Sequence, residues 1–479
     1  MSRNSPGGKL ARGGTVTLIG QAIKIGLQFL SLVLLSRLLT PSELGIFSVV
    51  TSIVGLGELL RDFGIVNSAM SQRSISHQQF SNLFWITGAI GAVLTILAVV
   101  VAAFLATDLS TYVRAISPVF MLNGLQTVFL VRLARAQRFL TITVTDCAAQ
   151  TIGLSVAVFG ATQGLGVWAL VLQVLVTSSL LLLTRALASR WTPSWLNDMK
   201  GTSQILRNGL TIGLAQSLTY AANNTANFAL QSISGPTSVG LFSRAFQLLT
   251  APINQVLTPI TNVILPALTK ARDHQASYIS LVSRVQFSLA LICISILGTF
   301  IAAPASVISV LLGDQWLQSS EILRALAFGG MFQALAFVCF WMFLSLGLTK
   351  ELLAYNLVTK PMTVLMVALG AVISPTAAAY GYSISLLLSW PICIIWIIRR
   401  SGFDLGPIWK EGLVVSVAGF AGALSGMLVV EAVDLSSISE IILGFISTSI
   451  ILMLLLLLNT STRNRSQEVM RTVRSILVR

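Results

Sequence analysis

Thr40-Pro-Ser-Glu-Leu-Gly-Ile-Phe-Ser48 recurs 195 residues later as Gly235-Pro-Thr-Ser-Val-Gly-Leu-Phe-Ser243. Extended without a gap to 12–48 against 207–243, the pair has eight identities in 37 positions: Arg12/Arg207, Gly14/Gly209, Gln21/Gln216, Leu35/Leu230, Pro41/Pro236, Gly45/Gly240, Phe47/Phe242 and Ser48/Ser243. Each copy reads as a long apolar helix, a tight outer turn containing proline, and a second helix whose glycine permits close packing. Repeats of this kind are built into many membrane transporters.

The residues around the repeat identify the solvent. The chain has 479 residues, 55% hydrophobic and only 10% charged, with a mean hydropathy of +0.86. A soluble domain carries about 25% charged residues, so most of this surface must face lipid. A bilayer core takes about 20 apolar residues of helix. Fourteen stretches qualify, at about 13–38, 41–63, 80–105, 110–135, 141–162, 164–188, 207–231, 236–265, 281–303, 321–345, 352–374, 376–399, 409–430 and 437–459.

The positive-inside rule tests this count independently. With the N-terminus inside, 24 of the 30 Lys and Arg residues, Arg185 among them, fall in cytoplasmic segments, while Arg37, Arg114 and Arg324 lie outside. One helix more or fewer would invert the asymmetry downstream. The net charge of +14 therefore sets orientation, and a nucleic-acid partner is excluded. Six spans separate the two repeat copies, and an even number makes the repeats parallel.

The predicted fold is an all-α polytopic membrane protein of about 14 transmembrane helices, with two six-helix halves followed by two extra helices. The expected parts are an N-terminal bundle over 1–206, a second bundle over 207–400, two further helices over 401–460, and a basic cytoplasmic tail over 461–479. That tail fits either a short amphipathic helix on anionic lipid or a disordered basic segment.

Ionisable and amide side chains in hydrocarbon cost several kcal/mol unless they face a partner or a watery cavity. Their positions therefore outline such a cavity. The first span places Thr17, Gln21, Lys24, Gln28 and Ser31 on one helical face, with Lys24 about 16 Å along the helix, near the midplane. The seventh carries Gln216, Tyr220, Asn223, Asn224, Asn227 and Gln231. Gln21 corresponds to Gln216 and Gln28 to Asn223 under the repeat. The alternative is amide hydrogen bonding that glues the bundle.

Three cations, Lys24, Arg244 and Lys360, face two intramembrane acids, Glu58 and Asp146. Lys24 paired with Glu58 or Asp146 would be structural, whereas a surplus cation would suit a phosphate-bearing ligand. The substrate-binding candidates are Lys24, Gln21, Gln28, Asn223, Asn227, Arg244 and Lys360. Pro252 and Pro259, with Pro266, recur every seven residues and mark the eighth span as a gating helix or a static kink.

The four cysteines, Cys147, Cys293, Cys339 and Cys393, form no Cys-x-x-Cys or Cys/His cluster. No phosphate loop and no catalytic element of the Gly-x-Ser-x-Gly or His-Glu-x-x-His type is present. No metal, cofactor or catalytic residue is expected, and the short loops leave no room for a catalytic domain. Gly422-x3-Gly426 reads as helix packing.

Several stretches resemble the bacterial oligosaccharide flippases of the polysaccharide transporter family, within the superfamily that also holds multidrug extruders and lipid II flippases. They are Leu34-Leu-Ser-Arg-Leu-Leu-Thr-Pro-Ser-Glu-Leu-Gly-Ile-Phe47, Asp62-Phe-Gly64, Gly166-Val-Trp-Ala-Leu-Val171, Gly240-Leu-Phe-Ser-Arg-Ala-Phe-Gln-Leu-Leu249 and Pro266-Ala-Leu268. The resemblance implies a protein of the bacterial inner membrane, and the Lys and Arg distribution over the fourteen spans puts both termini in the cytoplasm. It would move an undecaprenyl-pyrophosphate-linked oligosaccharide between leaflets by alternating access, in the company of a polysaccharide polymerase and glycosyltransferases. A drug antiporter of the extruder type should carry an acid-dominated cavity. A membrane polymerase or ligase should carry a large outer loop, and neither feature is present.

Overall fold

The computed structural model describes residues 6–62, 69, 75–105, 107–197, 202–433 and 435–458; the side chains of 6–19, 62, 107, 202–219, 252, 254–256, 258, 259 and 262 are not described. Every regular element among the described residues is helical. The basic tail over 461–479 lies outside them.

The chain divides into two compact units, Met1–Asn224 and Thr225–Arg479. The first contains α1 (Pro6–Leu38), α2 (Pro41–Asp62), α3 (His77–Ala102), α4 (Thr107–Ile116), α5 (Val119–Arg135), α6 (Phe139–Thr162), α7 (Val167–Ser189) and the start of α8 (Thr202–Ala271). The second contains the rest of α8, then α9 (Gln275–Ala302), α10 (Pro304–Leu311), a 3-10 turn (Asp314–Ser319), α11 (Ser320–Ser345), α12 (Thr349–Ile373), α13 (Pro375–Ser401), α14 (Gly406–Glu431) and α15 (Ser437–Leu458).

Twelve helical stretches among the described residues are long and apolar enough to cross a membrane, and each overlaps one of the expected spans. The other two expected spans, 207–231 and 236–265, fall on α8. That helix leaves helical geometry at Gly235, with φ 79° and ψ 179°, a backbone region that glycine enters without a Cβ penalty. In the first repeat copy Thr40 holds the corresponding position. There Thr40 N donates to Glu43 Oε2 at 2.8 Å and Glu43 N donates to Thr40 Oγ1 at 3.3 Å, a reciprocal capping box that starts α2. The expected span 110–135 is broken at Ser117 and Pro118 into α4 and α5.

Within the first unit α3 packs on α5, α6 on α7, α1 on α6, and α5 on α7. The α3–α5 approach is backbone on backbone, since a Cβ on Gly124 would lie 2.5 Å from the Thr87 carbonyl oxygen and one on Gly91 2.5 Å from that of Phe120. The segment after α7 is fastened onto these helices. Trp191 meets Phe80, Phe84 and Phe129 edge-on, Arg132 lies 4.9 Å above its ring, and Trp85 Nε1 donates to the Ser194 carbonyl.

In the second unit α11 and α12 flank α13, and α14 lies between α9 and α15. Trp316, Trp341 and Trp390 are fully buried there. Gly422 and Gly426 face Thr448 of α15 closely enough that added Cβ atoms would meet it at 2.8 and 2.7 Å, as expected of a packing motif. Pro252 and Pro259 lie within α8, and their side chains are outside the described residues.

Candidate functional site

Residue 146 is the centre of the polar interior of the first unit. Asp146 on α6 accepts from Lys24 of α1 through Oδ2 and from Arg185 of α7 through Oδ1. Arg185 also donates through Nη1 to Gln126 Oε1 of α5 at 2.6 Å, and Gln126 in turn donates to Asn123 at 2.7 Å. Two cations thus share one carboxylate, leaving the cluster a net charge of +1. Their side chains differ in access: Lys24 is 24% exposed, Asp146 10% and Arg185 7%. Lys24 is therefore the member that a ligand can reach, while Arg185 is locked between two helices.

Arg185 corrects the sequence-based sorting of charge. It is buried within α7 rather than lying in a cytoplasmic loop. Glu58 pairs with Arg61 at 2.8 Å, so Lys24 takes Asp146, the second of its two expected partners. A buried ion pair needs further hydrogen bonds to offset desolvation; the Arg185–Gln126 bond supplies one.

One helical turn from this cluster is a cavity of about 350 Å³, lined by Gln28 and Ser31 of α1, Gln150 of α6, and Gln173, Thr177 and Ser178 of α7, with Leu27, Leu154 and Val174 between them. Gln28 follows Lys24 by four residues and Gln150 follows Asp146 by four, so both stand about 6 Å further along their helices. On α7, which returns from α6, Ser178 precedes Arg185 by seven. All three helices thus place the cavity on the same side of the charges.

The remaining expected residues lie elsewhere. Gln21 and Asn223 are exposed. Their neighbours Asn224 and Tyr220 act as interhelical glue: Ser52 Oγ donates to Asn224 Oδ1 at 2.9 Å, and the Tyr220 hydroxyl donates to the Thr51 carbonyl at 3.2 Å. Asn227, half-buried on α8, belongs to the second unit. There Arg244 is buried, its Nη1 donates to Gln247 at 2.8 Å, and its Nε has no hydrogen-bond partner among the described residues. Lys360 is half-buried on α12, with no carboxylate within 4 Å among the described residues. Gln28 lines the cavity one helical turn along α1 from Lys24.

Sequence reasoning missed Gln126, Gln150, Gln173 and the role of Arg185. The same stripe rule that singled out α1 would have found two of them, Gln150 and Gln173, because Asp146/Gln150 and Gln173/Thr177 are each four apart on spans otherwise apolar.

A helical, multi-pass membrane protein with a cationic cluster buried in its first compact unit is the class that these features define. The family model described as polysaccharide biosynthesis protein matches residues 34–321, and the chain belongs to that family. Among curated relatives, the lipopolysaccharide biosynthesis protein WzxC of Escherichia coli (strain K12) is 23% identical over 68% of this chain and 68% of its own length. The succinoglycan biosynthesis transport protein ExoT of Rhizobium meliloti (strain 1021) is 22% identical over 63% of this chain and 62% of its own. The chain thus spans about two thirds of the length of these relatives. Among solved structures, the lipid II flippase MurJ in an inward closed conformation superposes with a TM-score of 0.75 at 13% identity, covering 91% of this chain and 98% of that one. An inward-facing multidrug resistance MATE family transporter of the MOP superfamily gives 0.59 at 16% identity, covering 80% and 95%. These likenesses define the fold.

Proposed function

We propose that this protein is a flippase that carries an undecaprenyl-pyrophosphate-linked oligosaccharide from the inner to the outer leaflet of a bacterial inner membrane. Both termini are cytoplasmic, and the two halves alternate access around the substrate. The observation that carries this reading is the Lys24–Asp146–Arg185 cluster, which keeps a net positive charge and one reachable cation within a membrane-spanning unit. Burying two negative charges without counter-cations would be prohibitive, so a cationic interior suits a pyrophosphate and opposes a cationic drug. The names and fold of the relatives agree with transport of a polysaccharide precursor.

In this reading Lys24 leaves Asp146 to take the pyrophosphate, and Arg185 remains to compensate the carboxylate. Arg244 and Lys360 supply further cations from the second unit. Gln21, Gln28, Asn223 and Asn227 face the sugars, and Pro252 and Pro259 bend α8. A polymerase and glycosyltransferases act on the same lipid-linked units. Deletion of the protein is expected to make these units accumulate in the inner leaflet. Their undiminished arrival in the outer leaflet would reject the flippase.

A further inference from the structure

Gln28, Gln150 and Gln173 are three carboxamides in membrane-spanning helices whose side chains make no hydrogen bond to protein among the described residues. Interhelical glue is ruled out for them, since glue consists of such bonds. Gln150 Oε1 is buried with no hydrogen-bond partner among the described residues, a state that costs about 1–3 kcal/mol. All three side chains line the 350 Å³ cavity beside Ser31, Thr177 and Ser178.

The chemistry of that lining is specific. It has no charged group, so it does not select an ion. Each carboxamide offers both an acceptor and donors, and each hydroxyl offers both, which matches a ligand whose groups are themselves donor and acceptor at once. Aliphatic side chains between the polar ones suit a ligand with C–H faces. The volume lies within the range of about 300–1,000 Å³ usual for small-molecule sites, and is too large to grip a dehydrated monovalent cation.

From this we infer that the cavity between α1, α6 and α7 is a subsite for one uncharged pyranose ring. That ring is the sugar joined directly to the pyrophosphate. The placement gives the assignment its register: the cavity begins about 6 Å beyond Lys24 and Asp146 along the helices, one helical turn from the cation that would hold the phosphate. The inference rests on the proposed lipid-linked saccharide substrate and adds where its first sugar sits.

The test measures binding of polyprenyl pyrophosphate, bare and carrying a single glucose, galactose or N-acetylglucosamine, to the full-length protein in nanodiscs. The wild type is expected to bind at least one sugar-bearing form about tenfold or more tightly than the bare lipid. Gln150→Leu with Gln173→Leu should lose that increment, about the effect of two neutral hydrogen bonds, and leave binding of the bare lipid unchanged. Ser31→Trp fills the cavity and should do the same, which guards against a folding defect in the double variant. A wild-type protein that binds the bare lipid with no sugar increment overturns the subsite alone, as does an increment that survives both variants. Failure to bind any pyrophosphate lipid would overturn the flippase reading and the subsite with it.

Discussion

Lys24 and Arg185 hold the same carboxylate but should answer differently to substitution. Lys24, the more exposed of the two, is expected to be needed for transport: Lys24→Ala should abolish polymer export with normal protein in the membrane, and normal export would remove Lys24 from the site. Arg185 ties α6 to α5 and α7 through Asp146 and Gln126. Arg185→Ala leaves the carboxylate with Lys24 alone and orphans Gln126 Oε1, removing two charge-assisted hydrogen bonds worth about 1.5–3 kcal/mol each. Its melting temperature in detergent should therefore fall well below that of Lys24→Ala. Equal melting temperatures would mean that the two cations are interchangeable supports. Lys24 was legible in the sequence because a lone lysine in an apolar span is conspicuous. Arg185 was not, because it stands near the end of its span, where a charged side chain ordinarily reaches the interface.

At the level of elements, helix type and order followed from apolar run length, since lipid forces backbone groups to pair within the segment. The break at Ser117 and Pro118 escaped because an apolar run does not report whether its hydrogen bonds are continuous. Contacts between helices were legible only where small residues recur. The α3–α5 crossing depends on glycine in a way that α1 at Gly26 does not. Gly124→Ala would press a Cβ onto the Thr87 carbonyl, whereas a Cβ at Gly26 meets nothing within 4 Å. Gly124→Ala is expected to destabilise by at least about 1–3 kcal/mol and to lower the amount of protein in the membrane. Gly26→Ala should be neutral or add about 0.5–1 kcal/mol through helix propensity. Thermal unfolding of the two purified variants measures the contrast; equal stabilities would contradict the backbone contact.

For the whole molecule, the distribution of Lys and Arg predicts an orientation that cysteine labelling can read. In a cysteine-free background, Gln137→Cys and Asp404→Cys should react with a membrane-impermeant maleimide only after the cells are opened. Gln163→Cys and Ser436→Cys should react in intact cells. The reverse pattern would overturn cytoplasmic termini. The grouping of the polar residues into sites was less legible than the topology, because sequence stripes show which helix faces are wet without showing which of them meet. The shared carboxylate also bears on turnover. A pyrophosphate that draws Lys24 away must displace an anion already seated there, and the same anion stands ready to reclaim the lysine. Under the proposed function, Asp146 would be a resident competitor that shortens the dwell time of the cargo and favours prompt release over tight capture.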